Sequence, residues 1–292
     1  MQRLTREHKI YFLDPQNPPA ITIDSGEELM VETWDAFEGC RDAAEFGARE
    51  LIGPAIGPIA VRGAEPGDAL AIEFLRVTPR AAEGAAHFVM AGRGFLEADL
   101  PEAYATSIKI EGEHAVLPDG LRLPLRPSMG FVATTPTMRQ STASDSGNYG
   151  GDIDMQELVD GSTLWLPVFL PGGMLAMGDC HALACDGAVA GTAAECASDA
   201  HIRVSLIKGM NLQAPRAITP DYFATMAYGP ELGPAMRQAV RYMVDFLVEG
   251  KGLKPYDAYT LLSLAADIRL SRTFRAVSSV KLLLKRSVLD QL

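Results

Sequence analysis

Between residues 147 and 195 the sequence concentrates side chains that can bind a cation or move a proton. The run Gly147-Asn148-Tyr149-Gly150-Gly151-Asp152-Ile153-Asp154 precedes an apolar stretch. Gly178-Asp179-Cys180-His181, Asp186-Gly187 and Gly191-Thr192-Ala193-Ala194-Glu195 follow it. In extended chain, residues i and i+2 point the same way, about 6–7 Å apart. That spacing predicts one shared face for Asp179 and His181, and another for Asp152 and Asp154. Carboxylate oxygens and imidazole nitrogens bind zinc at about 2.0–2.2 Å, so either pair could converge on one ion. A third ligand would leave a position for water, whose pKa a divalent metal lowers towards neutrality. Glu195 is a further carboxylate, suited to passing a proton to a leaving group.

Each residue also has a plainer reading. Turns select Asp and Gly, so Asp186-Gly187 reads first as a turn. A single histidine is more often a hydrogen-bonded structural residue than a ligand, and only the spacing to Asp179 balances the two readings of His181. On a strand, Cys180 would point away from both neighbours, which disfavours a cysteine nucleophile. Asp35 and Glu32 read as solvated or rim residues. The patterns GxxxxGK[ST], HExxH and GxSxG are absent. Gly92-Arg93-Gly94 lacks the third glycine and the strand–turn–helix setting of a dinucleotide site.

The elements that must position these groups are mostly strands. Leu29, Val31, Thr33 and Asp35 alternate on one face, as do Leu70, Ile72 and Phe74, and His201–Leu206 alternates cleanly. The stretch Leu164–Leu170 is apolar throughout and fits a strand buried on both faces, with Pro167 implying an edge or a bulge. Glu65-Pro66-Gly67-Asp68 predicts a type II turn. The Ser-, Thr-, Asn- and Gly-rich stretch 134–151 reads as a long loop. Beyond residue 215 the period becomes helical. Leu232, Met236, Ala239, Val240, Met243 and Leu247 share a face, with Gly250 and Gly252 as the stop, and a second helix covers 257–266 behind Pro255. The expected class is α+β, predominantly β, with sandwich- or barrel-like lobes. The chain reads as one unit over 1–292, β-rich over 1–210 and mixed helical over 215–292.

Composition bounds the partners. The chain has 292 residues, 48% of them hydrophobic, and 37 acidic against 26 basic residues for a net charge of −11. Such an acidic balance disfavours nucleic acid and anionic membranes. Prolines interrupt the longest apolar stretch, so no spanning helix is expected. No apolar segment follows the basic residues near the N-terminus, and the four cysteines lack CxxC spacing, which together point to a cytoplasmic setting.

Six segments, in order, resemble the acetamidase/formamidase family. Residues 57–68 (GPIAVRGAEPGD) resemble its GPI-x-V-x-GAEPGD, and Tyr149–Asp154 its GGN-x-D. Residues 161–169 (GSTLWLPVF) are similar to GSTLYLPVF, Gly178–His181 to GD-x-H, and Gly191–Glu195 to GT-x-x-E. Residues 257–271 (DAYTLLSLAADIRLS) are similar to AY-x-LLSLAGD-x-RISQ. The resemblance implies hydrolysis of small linear amides to a carboxylate and ammonia, by a commonly homo-oligomeric protein, a dimer being favoured here, that carries a divalent metal, zinc foremost. By position it implies Asp179 and His181 as metal ligands and Glu195 and Asp154 as catalytic groups. Asp35 and Asp152 follow as substrate-binding candidates. The chain departs from the pattern at three places: Asp152 replaces an Asn, Ala188 the Glu of GDGE, and Arg272 the final Gln. Asp152 could restore the negative charge missing at Ala188. Hydrolysis of another C–N bond, such as a lactam, and a non-catalytic small-molecule-binding role are the alternatives.

Overall fold

The computed structural model describes residues 1–90, 93–143, 145–272 and 277–292. Gly92 of the glycine run and Ser144 of the long loop lie outside the described residues.

Alternation of apolar side chains builds the strands. In Glu27–Thr33, Leu29, Val31 and Thr33 are buried while the residues between them are half-buried. Ser198–Ile207 alternates the same way as far as Val204. The two strands pair antiparallel, with Ser198 opposite Thr33 and Val204 opposite Glu27. They belong to a nine-stranded sheet ordered Gln2–Leu4, Glu27–Thr33, Ser198–Ile207, Ala69–Pro79, Thr163–Pro167, Arg216–Ile218, Tyr222–Gly229, Ser278–Lys285, Ala266–Arg272. Thr163–Pro167 is interior to this sheet, yet its neighbour Arg216–Ile218 pairs only as far as Trp165. Pro167 therefore ends the strand where a missing N–H forfeits no ladder bond on that side.

A second, twelve-stranded sheet carries the candidate site. At its middle lie Ala194–Cys196, Leu175–Leu183, Ser128–Ala133 and Gly150–Asp152, side by side. Ala55–Val61 shares with Ala194–Cys196 the other edge of Leu175–Leu183. The long loop contributes Gly150–Asp152 itself, so part of it is strand. Gly150 and Gly151 have φ of 95° and 103°, and a Cβ on either would lie 2.3 Å from a backbone carbonyl oxygen.

The two sheets pack face to face. Leu29, Ile72, Phe74, Leu164 and Ile202 of the first share one buried cluster with Ile56, Met129, Val132, Leu175 and Met177 of the second. Each such side chain contributes about 1.5–3 kcal/mol when fully buried. The far face of the first sheet is covered by the helix Leu232–Lys251, which buries Ala235, Ala239, Met243 and Leu247. These pack on Phe223, Ala227, Val280, Leu282 and Leu284. The buried stripe is centred on Ala239 and Met243 as expected, with Ala235 replacing Leu232, which is exposed. The second helix spans Pro255–Ala265 with proline in its first turn, and a strand begins at once at Ala266. The architecture is α+β and predominantly β. Among the described residues no helix is long and apolar enough to cross a membrane.

Candidate active site

Four adjacent strands of the second sheet bring the acidic groups and the imidazole together. Asp179 and His181 lie on Leu175–Leu183, and Glu195 sits directly opposite His181 on the neighbouring strand. On the other flank, Ser128–Ala133 pairs with both Leu175–Leu183 and Gly150–Asp152. Asp154 follows the end of that last strand. Gly130 carries the bridge between the flanks. Its carbonyl accepts the N–H groups of Ile153 at 2.8 Å and Asp154 at 3.1 Å. A Cβ on Gly130 would lie 2.6 Å from His181 Nε2 and 2.6 Å from the Asp179 carbonyl oxygen. The missing side chain is therefore what lets the His181 ring lean across that strand to meet Asp154.

The resulting distances are short. His181 Nε2 lies 3.4 Å from Glu195 Oε2, 3.7 Å from Asp154 Oδ1 and 3.7 Å from Asp179 Oδ2. One ligand atom from each of Asp154, Asp179 and His181 can be chosen so that all three lie within 4.8 Å of one another. Asp154 and Asp179 have left-handed backbones, with φ of 47° and 54°. Such conformations in non-glycine residues cost about 1–3 kcal/mol and gather at functional sites. Alternation alone therefore does not aim these two carboxylates; a local backbone kink does.

Burial sets the electrostatics. His181 and Glu195 are each 3% exposed. Burial by itself would lower the His181 pKa, but the charges of Glu195, Asp179 and Asp154 outweigh it and hold the imidazole well above its ordinary value. Burial pushes the Glu195 carboxyl well up, and the neighbouring Asp179 charge pushes it further. Glu195 Oε1 accepts the Ala193 N–H at 2.7 Å, whereas Oε2 is buried with no hydrogen bond. Asp152 is also buried, and its Oδ2 accepts from Arg272 Nη1.

The profile of the acetamidase/formamidase family matches residues 5–146 and 139–283. The chain belongs to that family. An acetamidase from Bacillus halodurans, known from its crystal structure, superposes with a TM-score of 0.93 at 30% identity, covering 99% of each chain. The crystal structure of an acetamidase from Yersinia enterocolitica gives 0.91 at 30% identity, over 99% of this chain and 93% of that one. The acetamidase of Mycolicibacterium smegmatis is 26% identical over 263 residues, which are 67% of this chain and 65% of that protein. Membership places the chain among hydrolases of carbon–nitrogen bonds in linear amides.

In this family member the cluster opens into a cavity of about 400 Å³. Asp152, Asp154, Asp179, His181, Glu195 and Arg272 form its polar side. Its apolar lining includes Phe37, Phe46, Ile52 and Met90. Phe37 is stacked on Phe88 at 3.9 Å and set edge-on to Phe46 at 4.9 Å. Asp35, a substrate-binding candidate, lies apart from the cluster and is not at a rim. It is 1% exposed, and it does not line the cavity. Its Oδ1 accepts the N–H groups of Phe37 and Gly39, both at 2.9 Å, and its Oδ2 accepts from Arg41 at 3.0 Å. These bonds brace the loop that carries Phe37 to the wall.

Cys180 faces away from the site, with its sulfur 3.8 Å from that of Cys196. Asp186 does sit in a turn, and it also pairs with Lys281 at 2.5 Å. Two contributors were not picked out from the sequence. Gly130 carries no chemistry of its own, and nothing in its spacing marks it. His87 lines the cavity, 3.0 Å from Thr192 Oγ1, and burial holds its imidazole below its ordinary pKa. It comes from a strand some hundred residues before its partner, beyond the reach of any local motif.

Proposed function

We propose that the chain hydrolyses a small amide to carboxylate and ammonia, with a divalent metal held by Asp154, Asp179 and His181. The observation that carries this reading is the convergence of two carboxylates and an imidazole on one point of the cavity wall. The donor set suits it: oxygen and imidazole nitrogen are the ligands zinc accepts, and zinc is the metal we favour. The buried Glu195 Oε2, which has no hydrogen bond, supports it too. When bound, such an ion supplies a Lewis acid for the amide carbonyl and makes a nucleophile of water near neutral pH.

The chain's own residues do the rest. Glu195 stands beside the ligand cluster, fixed through one oxygen by the Ala193 N–H, with the other oxygen left to take a proton from water. The same proton then goes to the amide nitrogen, a leaving group too basic to depart without it. The apolar wall of Phe37, Phe46, Ile52 and Met90 receives the acyl substituent and excludes water. The working setting is the cytoplasm, and the working form is a homo-oligomer, with a dimer favoured.

Replacing Glu195→Gln tests the assignment, because glutamine keeps the shape and loses the proton carrier. Ammonia release from formamide, acetamide or propionamide should fall about 10²–10⁴-fold in kcat with KM little changed. A variant that keeps the wild-type kcat on whichever amide is turned over would remove Glu195 from the mechanism.

A further inference from the structure

The three places where the chain departs from the family pattern meet on one part of the cavity wall. Asp152 Oδ2 accepts from Arg272 Nη1. Gly187, next to Ala188, forms a backbone bridge with Arg272, and Asp152, Ala188 and Arg272 all line the cavity. Two positions that the pattern fills with neutral amides thus hold a carboxylate and a guanidinium in direct contact. Both are almost wholly buried, at 4% and 2% exposure. Arg272 reaches the site from the edge strand Ala266–Arg272 of the other sheet, where the register slips between Leu270 and Arg272. A bulge of that kind re-aims the side chain that follows it.

We infer that Asp152 and Arg272 act as one positioning pair, whose job is to present Asp154 to the metal. The inference rests on the metal reading above. Arg272 Nη1 lies 3.8 Å from Asp154 Oδ2, and Asp154 Oδ1 lies 3.7 Å from His181 Nε2. The Asp154 carboxylate therefore spans the gap between guanidinium and imidazole. Asp152 draws the guanidinium towards itself, so that Asp154 feels only part of its charge.

Breaking either half has a definite consequence. Without Arg272, Asp154 loses the guanidinium that lies 3.8 Å from its Oδ2, and the uncompensated Asp152 carboxylate two residues away pushes it out of the ligand position. Without Asp152, more of the Arg272 charge falls on Asp154 and draws it away from the ligand position. Removing both restores a neutral wall. The pair also bears on whether the negative charge missing at Ala188 is made up. Asp152 supplies a carboxylate, but Arg272 neutralises it, so the site does not regain that charge.

The test is zinc binding by calorimetry to the full chain after chelator treatment, in wild type, Asp152→Asn, Arg272→Gln and the double variant. Thermal melting without metal serves as the folding control. Each single variant should bind zinc about 10–100-fold more weakly, the range for groups that orient a ligand. The double variant should return to within about threefold of wild type. Single variants that bind as wild type does, or losses that simply add in the double variant, overturn the inference. If a single variant does not fold, the double variant decides: a loss of about tenfold or more there overturns it equally. A wild-type chain that takes up no zinc overturns the metal reading beneath, whereas wild-type binding with unaffected variants overturns the pair alone.

Discussion

Gly130 shows how a residue without a side chain can govern a site. Its carbonyl anchors the backbone of Asp154, and its bare Cα leaves room for the His181 ring. In Gly130→Ala the new methyl would meet both the ring and the rigid carbonyl of Asp179 at 2.6 Å. A ring can swing away, but a backbone carbonyl in a paired strand cannot do so cheaply. Overpacking of this kind costs about 1–3 kcal/mol, and a displaced imidazole leaves the proposed ligand position. A denaturant titration should therefore show a stability loss in that range, and calorimetry should show zinc affinity reduced about tenfold or more. Wild-type values in both measurements would mean that the close approach at Gly130 is not structural. At this scale the sequence was partly readable. The i, i+2 spacing pointed to Asp179 and His181 as neighbours, but the left-handed backbone at Asp179 that aims its carboxylate leaves no mark in that spacing. The Gly130 contacts and the Asp152–Arg272 pair join residues far apart in the chain, and only folding reveals them. The Asp35 carboxylate bonds its own loop, a use that sequence cannot separate from ligand binding.

Between elements, the site depends on a buried ion network that ties its loops to the C-terminal strands. Lys281 on Ser278–Lys285 is fully buried, and it contacts Glu157 Oε2 and Asp186 Oδ1, both at 2.5 Å. Arg269 adds a longer contact to Glu157 at 3.5 Å. Glu157 follows Asp154 by three residues, and Asp186 belongs to the cavity-lining turn that contains Ala188. The Gly187 N–H also bonds the Ser271 carbonyl at 3.0 Å, docking the same turn on the neighbouring strand. Lys281→Met would leave Glu157 and Asp186 without their buried cation. Breaking one partner of a buried network costs about 3–5 kcal/mol, and a urea titration should register a loss of that order. An unchanged midpoint would show that the lysine charge is incidental. The strands Glu27–Thr33 and Ser198–Ile207 and the helix Leu232–Lys251 were legible in advance because each buries a regular stripe. The network was not, since isolated Lys, Glu and Asp residues carry no periodic signal.

For the whole molecule, two packed sheets supply a rigid frame, and the reactive groups come from four neighbouring strands of one of them. The other sheet lines the cavity through Arg272 and holds its Asp186 turn through Lys281. The β-rich class could be read from alternation and turn residues, whereas the order of strands in each sheet could not, because partners such as His181 and Gly130 are set by long-range pairing. Amide cleavage by the full chain should require a cation. The decisive measurement is ammonia release from acetamide by chelator-treated protein as zinc is added back. The rate should be lost without metal and should rise to a plateau at one zinc per chain, the stoichiometry of the one such group among the described residues, Asp154–Asp179–His181. Full activity in protein shown by elemental analysis to be free of metal would contradict it.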